Sequence, residues 1–184
     1  MSYDYKPMSS ETPWSFREVI EVGDLKIEYN NMIEVCQGGP NIGNLYINGM
    51  EVKMPPRRKN YVNPLFFGDD LQFGGPLLID KEYLYIPWFD RYVSRFRLFC
   101  WNLTNQTCII GTEVLPLIIL DKIDGNDLHY NVGNKISDKR VISISEIDNP
   151  KFSTKADFFS LQYINLLILL LMFLITGVCR KCSP

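Results

Sequence analysis

The sequence predicts an all-β antiparallel domain, built as a sandwich or a small barrel, followed by a single C-terminal transmembrane helix. Short β-branched and aromatic runs alternate with turn residues, and no long amphipathic helix pattern interrupts them. The run 158–179 then contains no Asp, Glu, Lys, Arg or His. We divide the chain into a flexible N-terminal arm (1–13), a β domain (14–150), a linker (151–157), the transmembrane helix and a short basic tail (180–184).

Two hairpins are predicted by their turn residues. Gly23-Asp24 forms a two-residue turn with glycine first, and Asn48-Gly49 is the stronger of the two signals. With these turns, four apolar pairs face the core: Val22 with Leu25, Ile20 with Ile27, Ile47 with Met50, and Leu45 with Val52. Each turn therefore sets the register of a sheet with one buried face.

Further strands are expected along the rest of the domain. The apolar runs are PLLID, YLYIPWF, YVSRFRLFCWNL, TCIIGTEVL, LPLIIL, DLHYNV and RVISISEI. We expect the first two to meet at a turn formed by Asp80-Lys81, and the next two to meet around Thr104 to Gln106. The arm 1–13 offers little to pack, which is why we predict it to be flexible.

The segment 158–179 is the predicted membrane span. Its 22 residues would form a helix about 33 Å long, enough to cross a hydrocarbon core of about 30 Å. Residues distributed along the span are Phe158, Leu166, Leu170, Phe173 and Cys179. The alternative is a C-terminal helix buried in a groove of its own domain or of an oligomer.

The distribution of basic residues predicts the orientation. Within the twenty residues before the span there are four basic residues, Lys139, Arg140, Lys151 and Lys155. Only Arg180 and Lys181 follow it, and the first residues show no apolar secretory signal. We therefore expect a tail-anchored, single-pass protein whose β domain lies in the cytosol and whose span contacts the lipid bilayer.

The charge of the domain argues against a nucleic-acid partner. All 21 acidic residues lie in 1–157, whereas two of the 19 basic residues, Arg180 and Lys181, lie in the tail, which leaves 17 basic residues in 1–157. The resulting mild acidity is unlike the basic surface that binds phosphate backbones. No nucleic-acid partner is expected.

No residue pattern predicts catalysis. His129 is the single histidine and occupies an alternating strand position, where an ordinary strand residue is the default interpretation. We expect no catalytic residue, no cofactor and no bound metal.

An odd number of cysteines in the domain suits a reducing compartment, although Cys100 and Cys108 flank a turn and would be candidates for pairing under oxidation.

Two adjacent N-glycosylation sequons begin at Asn102 and Asn105. They would matter only if the domain were luminal, in contrast to the expected cytosolic orientation. The sequence leaves their use open.

Loop residues with aromatic and charged side chains form the candidate interaction surface. They are Arg57, Arg58, Lys59, Phe66, Phe67, Asp69, Asp70, Trp88, Phe89 and Asp90. The predicted function is a membrane-anchored, non-catalytic β domain that presents this surface to an unknown protein partner.

Two other functions remain open at this point. One is a small hydrolase or carbohydrate-acting enzyme that uses the loop carboxylates Asp69, Asp70 and Asp90. The other is a soluble binding protein of the inhibitor or immunity type, with its C-terminal helix buried.

Overall fold

The computed structural model describes residues 2–52, 72–91, 93–133 and 138–147. These residues form thirteen strands and one short helix. The strands are β1 (Tyr3–Tyr5), β2 (Val19–Val22), β3 (Leu25–Glu34), β4 (Asn41–Ile47), β5 (Met50–Glu51), β6 (Phe73–Gly74), β7 (Leu78–Lys81), β8 (Tyr83–Asp90), β9 (Arg95–Asn102), β10 (Thr107–Ile110), β11 (Ile118–Asp124), β12 (Asp127–Val132) and β13 (Lys139–Ser143). The helix α1 (Ile144–Ile147) follows β13.

Ten of these strands form one antiparallel sheet that curls into a nearly closed barrel. Strand β8 is central, because it pairs with β9 along its whole length and with β7 and β6 on its other edge. Strand β6 continues the sheet to β4, β3 and β2, while β7 continues it to β1. The hydroxyl of Tyr3 donates a 2.9 Å hydrogen bond to Asp24, which links β1 to the β2–β3 turn. The predicted all-β antiparallel fold is confirmed.

A second sheet, formed by β11, β12 and β13, covers the outer face of β8 and β9. Strands β8 and β9 are therefore buried on both faces, and two hydrophobic cores result. Inside the barrel, Ile27, Leu84 and Phe99 are fully buried. Between the sheets, Ile118 and Leu128 are equally inaccessible to solvent. The barrel interior and a sandwich-like second layer thus coexist.

Both predicted hairpins form in the predicted register. Asn48 and Gly49 have φ values of 48° and 77°, which is the conformation that a type I′ turn requires and that Asn-Gly supplies. The backbone N–H of Val52 donates to the carbonyl of Leu45, so the pairing extends beyond β5. One residue of the predicted core differs: Met50, the first residue after the turn, is 55% exposed.

The β7–β8 turn lies one residue later than predicted. Asp80 pairs with Tyr83, so Lys81 and Glu82 form the turn instead of Asp80 and Lys81. Lys81 adopts a φ of 56°, which is uncommon for lysine, so no residue type in the sequence indicates this turn. Later elements agree with expectation, since the β9–β10 loop spans 103–106 and three strands follow.

The N-terminal segment departs from the flexible arm predicted for 1–13. Tyr3–Tyr5 pairs with β7, and the Tyr5 side chain is only 8% exposed. The Tyr5 hydroxyl donates to the Glu11 carboxylate at 3.4 Å, and Arg17 Nε donates to the same carboxylate at 2.6 Å. A three-residue strand that pairs with a partner more than seventy residues away leaves no local pattern in the sequence.

The predicted linker, span and tail (151–184) lie outside the described residues. Across the part of the chain that is described, no helix combines the length and the apolar character required to cross a membrane.

Candidate functional site

The predicted interaction surface divides into two groups. Its members between 57 and 70 lie outside the described residues. Trp88, Phe89 and Asp90 lie on β8 and are 3%, 8% and 1% exposed, so these three belong to the core and do not form an exposed surface. The reason is the position of β8, whose two faces contact the barrel interior and the second sheet.

Asp90 has a structural role that the sequence did not reveal. Arg97 on β9 donates from Nε to Asp90 Oδ2 at 2.9 Å, and the two side chains are 14% and 1% exposed. Arg97 also donates to the backbone carbonyl of Thr112, after β10. Nearby, Trp88 Nε1 donates to Gln72 Oε1 at 2.7 Å. This polar cluster holds one end of the barrel together, and an ion-paired buried carboxylate of this kind is poorly placed to contact a substrate.

The opposite end of the barrel contains a cavity of about 380 Å³. It lies between the β4–β5 and β9–β10 hairpins, and its described lining comprises Tyr3, Leu25, Ile47, Asn48, Met50, Glu51, Val52, Trp101, Leu103, Thr104 and Gln106. Mouths of β-barrels are common places for ligand sites, and ligand pockets typically measure about 300–1,000 Å³. We refer to this feature as the mouth cavity.

The floor of the mouth cavity is aliphatic and almost closed to solvent. Leu25, Ile47 and Val52 are 3%, 8% and 7% exposed, because their side chains belong to the barrel core. Trp101 and Leu103 are partly exposed while packing against the same core. A ligand in the cavity would therefore meet an apolar wall with one large aromatic ring.

The rim of the mouth cavity is polar. Asn48 Oδ1 accepts a hydrogen bond from the backbone N–H of Lys26 at 2.7 Å. The NH₂ group of the same side chain is a hydrogen-bond donor. Thr104 and Gln106 are exposed in the β9–β10 loop, and Gln106 has a φ of 57°. These side chains surround the opening without filling it.

The described rim carries one acidic side chain, Glu51. Glu51 Oε1 accepts from Asn44 Nδ2 at 3.0 Å, which fixes the carboxylate beside the cavity. The hydrogen bond from Tyr3 to Asp24 raises the pKa of the Tyr3 phenol. Among the described lining residues, Glu51 is the one with a formal charge.

The two cysteines of the β9–β10 hairpin face opposite sides of the sheet. Cys108 pairs with Trp101 and packs against the barrel core, whereas Cys100 pairs with Ile109 and belongs to the core between the sheets. Neither forms a disulfide with the other. Thiols on opposite faces of one sheet cannot meet without a change of register, which removes the pairing that the sequence had left open.

The structure distinguishes the two sequons. The Asn102 side chain is 8% exposed, and its Oδ1 accepts from the backbone N–H groups of Thr104 and Asn105. Asn105 is exposed at the tip of the same loop.

His129, as predicted, alternates with the buried Leu128 and Tyr130 on β12.

Metal binding finds no support in the described ranges, where no three His, Cys, Asp or Glu residues come together closely enough to hold an ion. No protein-family model matches the chain, and comparison with curated proteins and with solved structures gives no match.

Sequence reasoning missed the mouth cavity. Its walls come from segments that are far apart in the chain, beginning at Tyr3 and ending at Gln106. The one local signal was the Asn48-Gly49 turn, which fixes the β4–β5 side of the opening. Trp101 also belongs to a predicted strand, but its direction depends on the register of the β9–β10 hairpin.

Proposed function

We propose that this protein is a membrane-anchored, non-catalytic binding module whose β domain presents an interaction surface next to the bilayer. The observation that carries the proposal is the uninterrupted uncharged run 158–179. In lipid, such a segment satisfies its backbone groups by forming a helix. The excess of basic residues before the run favours a cytosolic β domain.

The mouth cavity and its rim are the described surface best suited to binding. An apolar depression surrounded by polar side chains is the arrangement in which a buried anchor group contributes most of the binding energy. Exposed Met50 extends the apolar area at the edge of the cavity. We propose that a partner, which we expect to be a protein, docks at this end of the barrel.

The hydrolase alternative now has weaker support. Of its three carboxylates, Asp69 and Asp70 lie outside the described residues. Asp90 is buried against Arg97, so it is not positioned as a general acid or base for an external substrate. Glu51 at the mouth cavity stands without a second carboxylate in the described lining, whereas glycoside hydrolysis generally uses two.

Alkaline extraction of membranes tests the anchor. Cells would produce the full chain and a matched chain ending at Asp157, and both would be fractionated after treatment with sodium carbonate. We expect the full chain in the membrane pellet and the shortened chain in the supernatant. Protease added to intact vesicles should digest the β domain if it is cytosolic.

Two results would contradict the proposal. Release of the full chain by carbonate would favour the soluble inhibitor alternative, with the C-terminal helix buried in protein. Protection of the β domain from protease would retain the anchor but reverse its orientation.

A further inference from the structure

We propose that strand β13 is a self-association edge, at which two copies of this chain pair their β13 strands antiparallel about a two-fold axis that passes through Val141. The inference goes beyond the proposed function, because it uses the second sheet and neither the mouth cavity nor the anchor. The strands β11, β12 and β13 of the two copies would then form one continuous sheet.

The first argument is the direction of the backbone groups of β13. The backbone N–H of Val132 on β12 donates to the carbonyl of Asp138 at 3.0 Å, so the hydrogen-bonded pairs of β12 with β13 fall on even-numbered residues of β13. In an antiparallel ladder, the residues between those pairs direct their N–H and C=O groups away from the neighbouring strand. These residues are Lys139, Val141 and Ser143. Among the described residues, no strand pairs with this second edge of β13.

The second argument is the exposure of the valine at the centre of this edge. Val141 is 56% exposed, and it lies on the face of the sheet opposite to Ile142, which packs against the core between the sheets. Pairing about the two-fold axis places the two copies of Val141 directly opposite each other on that outer face. Two β-branched side chains in this arrangement form a favourable cross-strand pair, so the contact removes exposed apolar surface from both copies.

The third argument is the register. When the axis passes through Val141, each Lys139 lies opposite Ser143 of the second copy, and all five residues of β13 have a partner. A shift of the axis toward the start of the strand places Arg140 or Lys139 opposite itself, and like charges directly opposite each other are unfavourable. A shift toward the end places residues of α1 opposite the strand. Charge and length therefore both favour the register centred on Val141.

The other edge of this sheet explains why β13 is the edge that pairs and why the assembly stops at two copies. Strand β11 has a register shift between Leu120 and Lys122, and such bulges disturb further strand pairing. Strand β13 pairs with β12 without a shift. A two-fold contact uses the same edge of both copies, so it closes as a dimer and leaves no β13 edge for a third copy.

Cysteine variants of the full chain test the register. In Val141→Cys, the two new cysteines would be a hydrogen-bonded antiparallel pair with a Cα–Cα distance of about 5.5 Å, within the range of about 4.4–6.8 Å that a disulfide spans. In Lys139→Cys, the two new cysteines would lie about 13 Å apart along the strands. Under mild oxidation with copper phenanthroline, we expect a covalent dimer from Val141→Cys and not from Lys139→Cys. Peptide mapping distinguishes the new disulfide from any that involves the native cysteines.

Proline variants test whether the backbone of this edge holds the dimer. Sedimentation of the full chain in a non-ionic detergent, between about 1 μM and 1 mM, should show a monomer–dimer equilibrium. Val141→Pro removes an N–H that faces away from β12, a position where an edge strand tolerates proline, and should raise the dimer dissociation constant about tenfold or more. Val19→Pro is the matched control, since Val19 is 49% exposed on the edge strand β2 and its N–H also faces away from its partner strand. It should leave the dissociation constant unchanged, and circular dichroism verifies that both variants are folded.

Charge variants at one position test the same contact without a change of backbone. Ser143→Lys brings two lysines together at each end of the paired strands and should weaken the dimer, whereas Ser143→Glu faces Lys139 of the second copy and should strengthen it. The inference is overturned if the parent chain remains a monomer, if Val141→Pro leaves the dimer intact, or if Lys139→Cys forms its own disulfide as readily as Val141→Cys. None of these results bears on the carbonate extraction, so failure of the β13 edge and failure of the anchor are separable.

Discussion

The buried ion pair between Asp90 and Arg97 allows the sharpest test of how the barrel is held together. Arg97→Met keeps most of the aliphatic stem of the side chain but removes the guanidinium from a carboxylate that is 1% exposed. It also removes a donor to the carbonyl of Thr112. Separating the partners of a buried pair costs about 3–5 kcal/mol, because one charge stays in the interior. We expect a loss of unfolding free energy in that range.

Removing both charges of the pair should cost less stability than removing one of them. When Asp90→Leu is combined with Arg97→Met, neither charge of this pair remains, and replacement of a buried pair by apolar groups is often neutral or stabilising. The double variant should therefore recover most of the stability lost by Arg97→Met. Urea unfolding followed by far-ultraviolet circular dichroism, on the full chain in a non-ionic detergent, measures the parent, Arg97→Met and the double variant.

Lys122→Met is the matched control, since it breaks an ion pair with Asp124 that has the same 2.9 Å separation but is 49% and 67% exposed. Exposed pairs contribute about 0–1 kcal/mol, so this variant should remain close to the parent. The reasoning fails if Arg97→Met loses no more than Lys122→Met. It also fails if the double variant is less stable than Arg97→Met alone.

Three other predictions follow from particular contacts. Burial, and next the charge of Glu11, raises the pKa of Tyr5 to about 12. The folded state therefore favours the neutral phenol, and this preference stabilises the fold. The stabilisation is complete below pH 10 and is lost between about pH 10 and 12. Thermal unfolding across that interval should therefore depend less on pH in Tyr5→Phe, and an unchanged dependence would contradict the assignment. Mild oxidation of the native chain should give no disulfide between Cys100 and Cys108, which peptide mapping would detect; its formation without denaturant would mean that the register of the hairpin is different. Gly49→Ala should lose about 1 kcal/mol of unfolding free energy in a urea titration, because alanine is disfavoured at a φ of 77°; an unaffected midpoint would show that the turn adjusts.

Local chemistry was sufficient to predict the hairpins. A two-residue turn fixes which residues face each other, and alternation then assigns them to a face, so the register at Gly23-Asp24 and Asn48-Gly49 followed directly from sequence. The β7–β8 turn had no comparable signal. Its positive φ falls on Lys81, a residue without a preference for that conformation, and the prediction was displaced by one position.

Local sequence patterns did not predict the burial and the pairing that depend on distant segments of the chain. The pattern predicted that the run containing Trp88 and Phe89 forms a strand, but whether its ends are exposed depends on the second sheet, whose strands lie some thirty residues later. The same holds for Arg97, which is seven residues from Asp90 in the chain and becomes its partner only through the register of β8 with β9. The mouth cavity required the barrel to close.

We propose that one end of the barrel contributes mainly to stability and the other mainly to binding. At one end, Asp90, Arg97 and Trp88 use their polar groups on one another or on neighbouring residues, so changes there should be costly. At the other end, Asn48 and Gln106 lie on turns whose backbone conformations they support, while their side chains line an opening. Side chains in such turns can change without loss of either core, because the cores are formed by the strands beneath them. A binding specificity located at the mouth cavity can therefore be altered while the barrel, and any anchor that follows it, is retained.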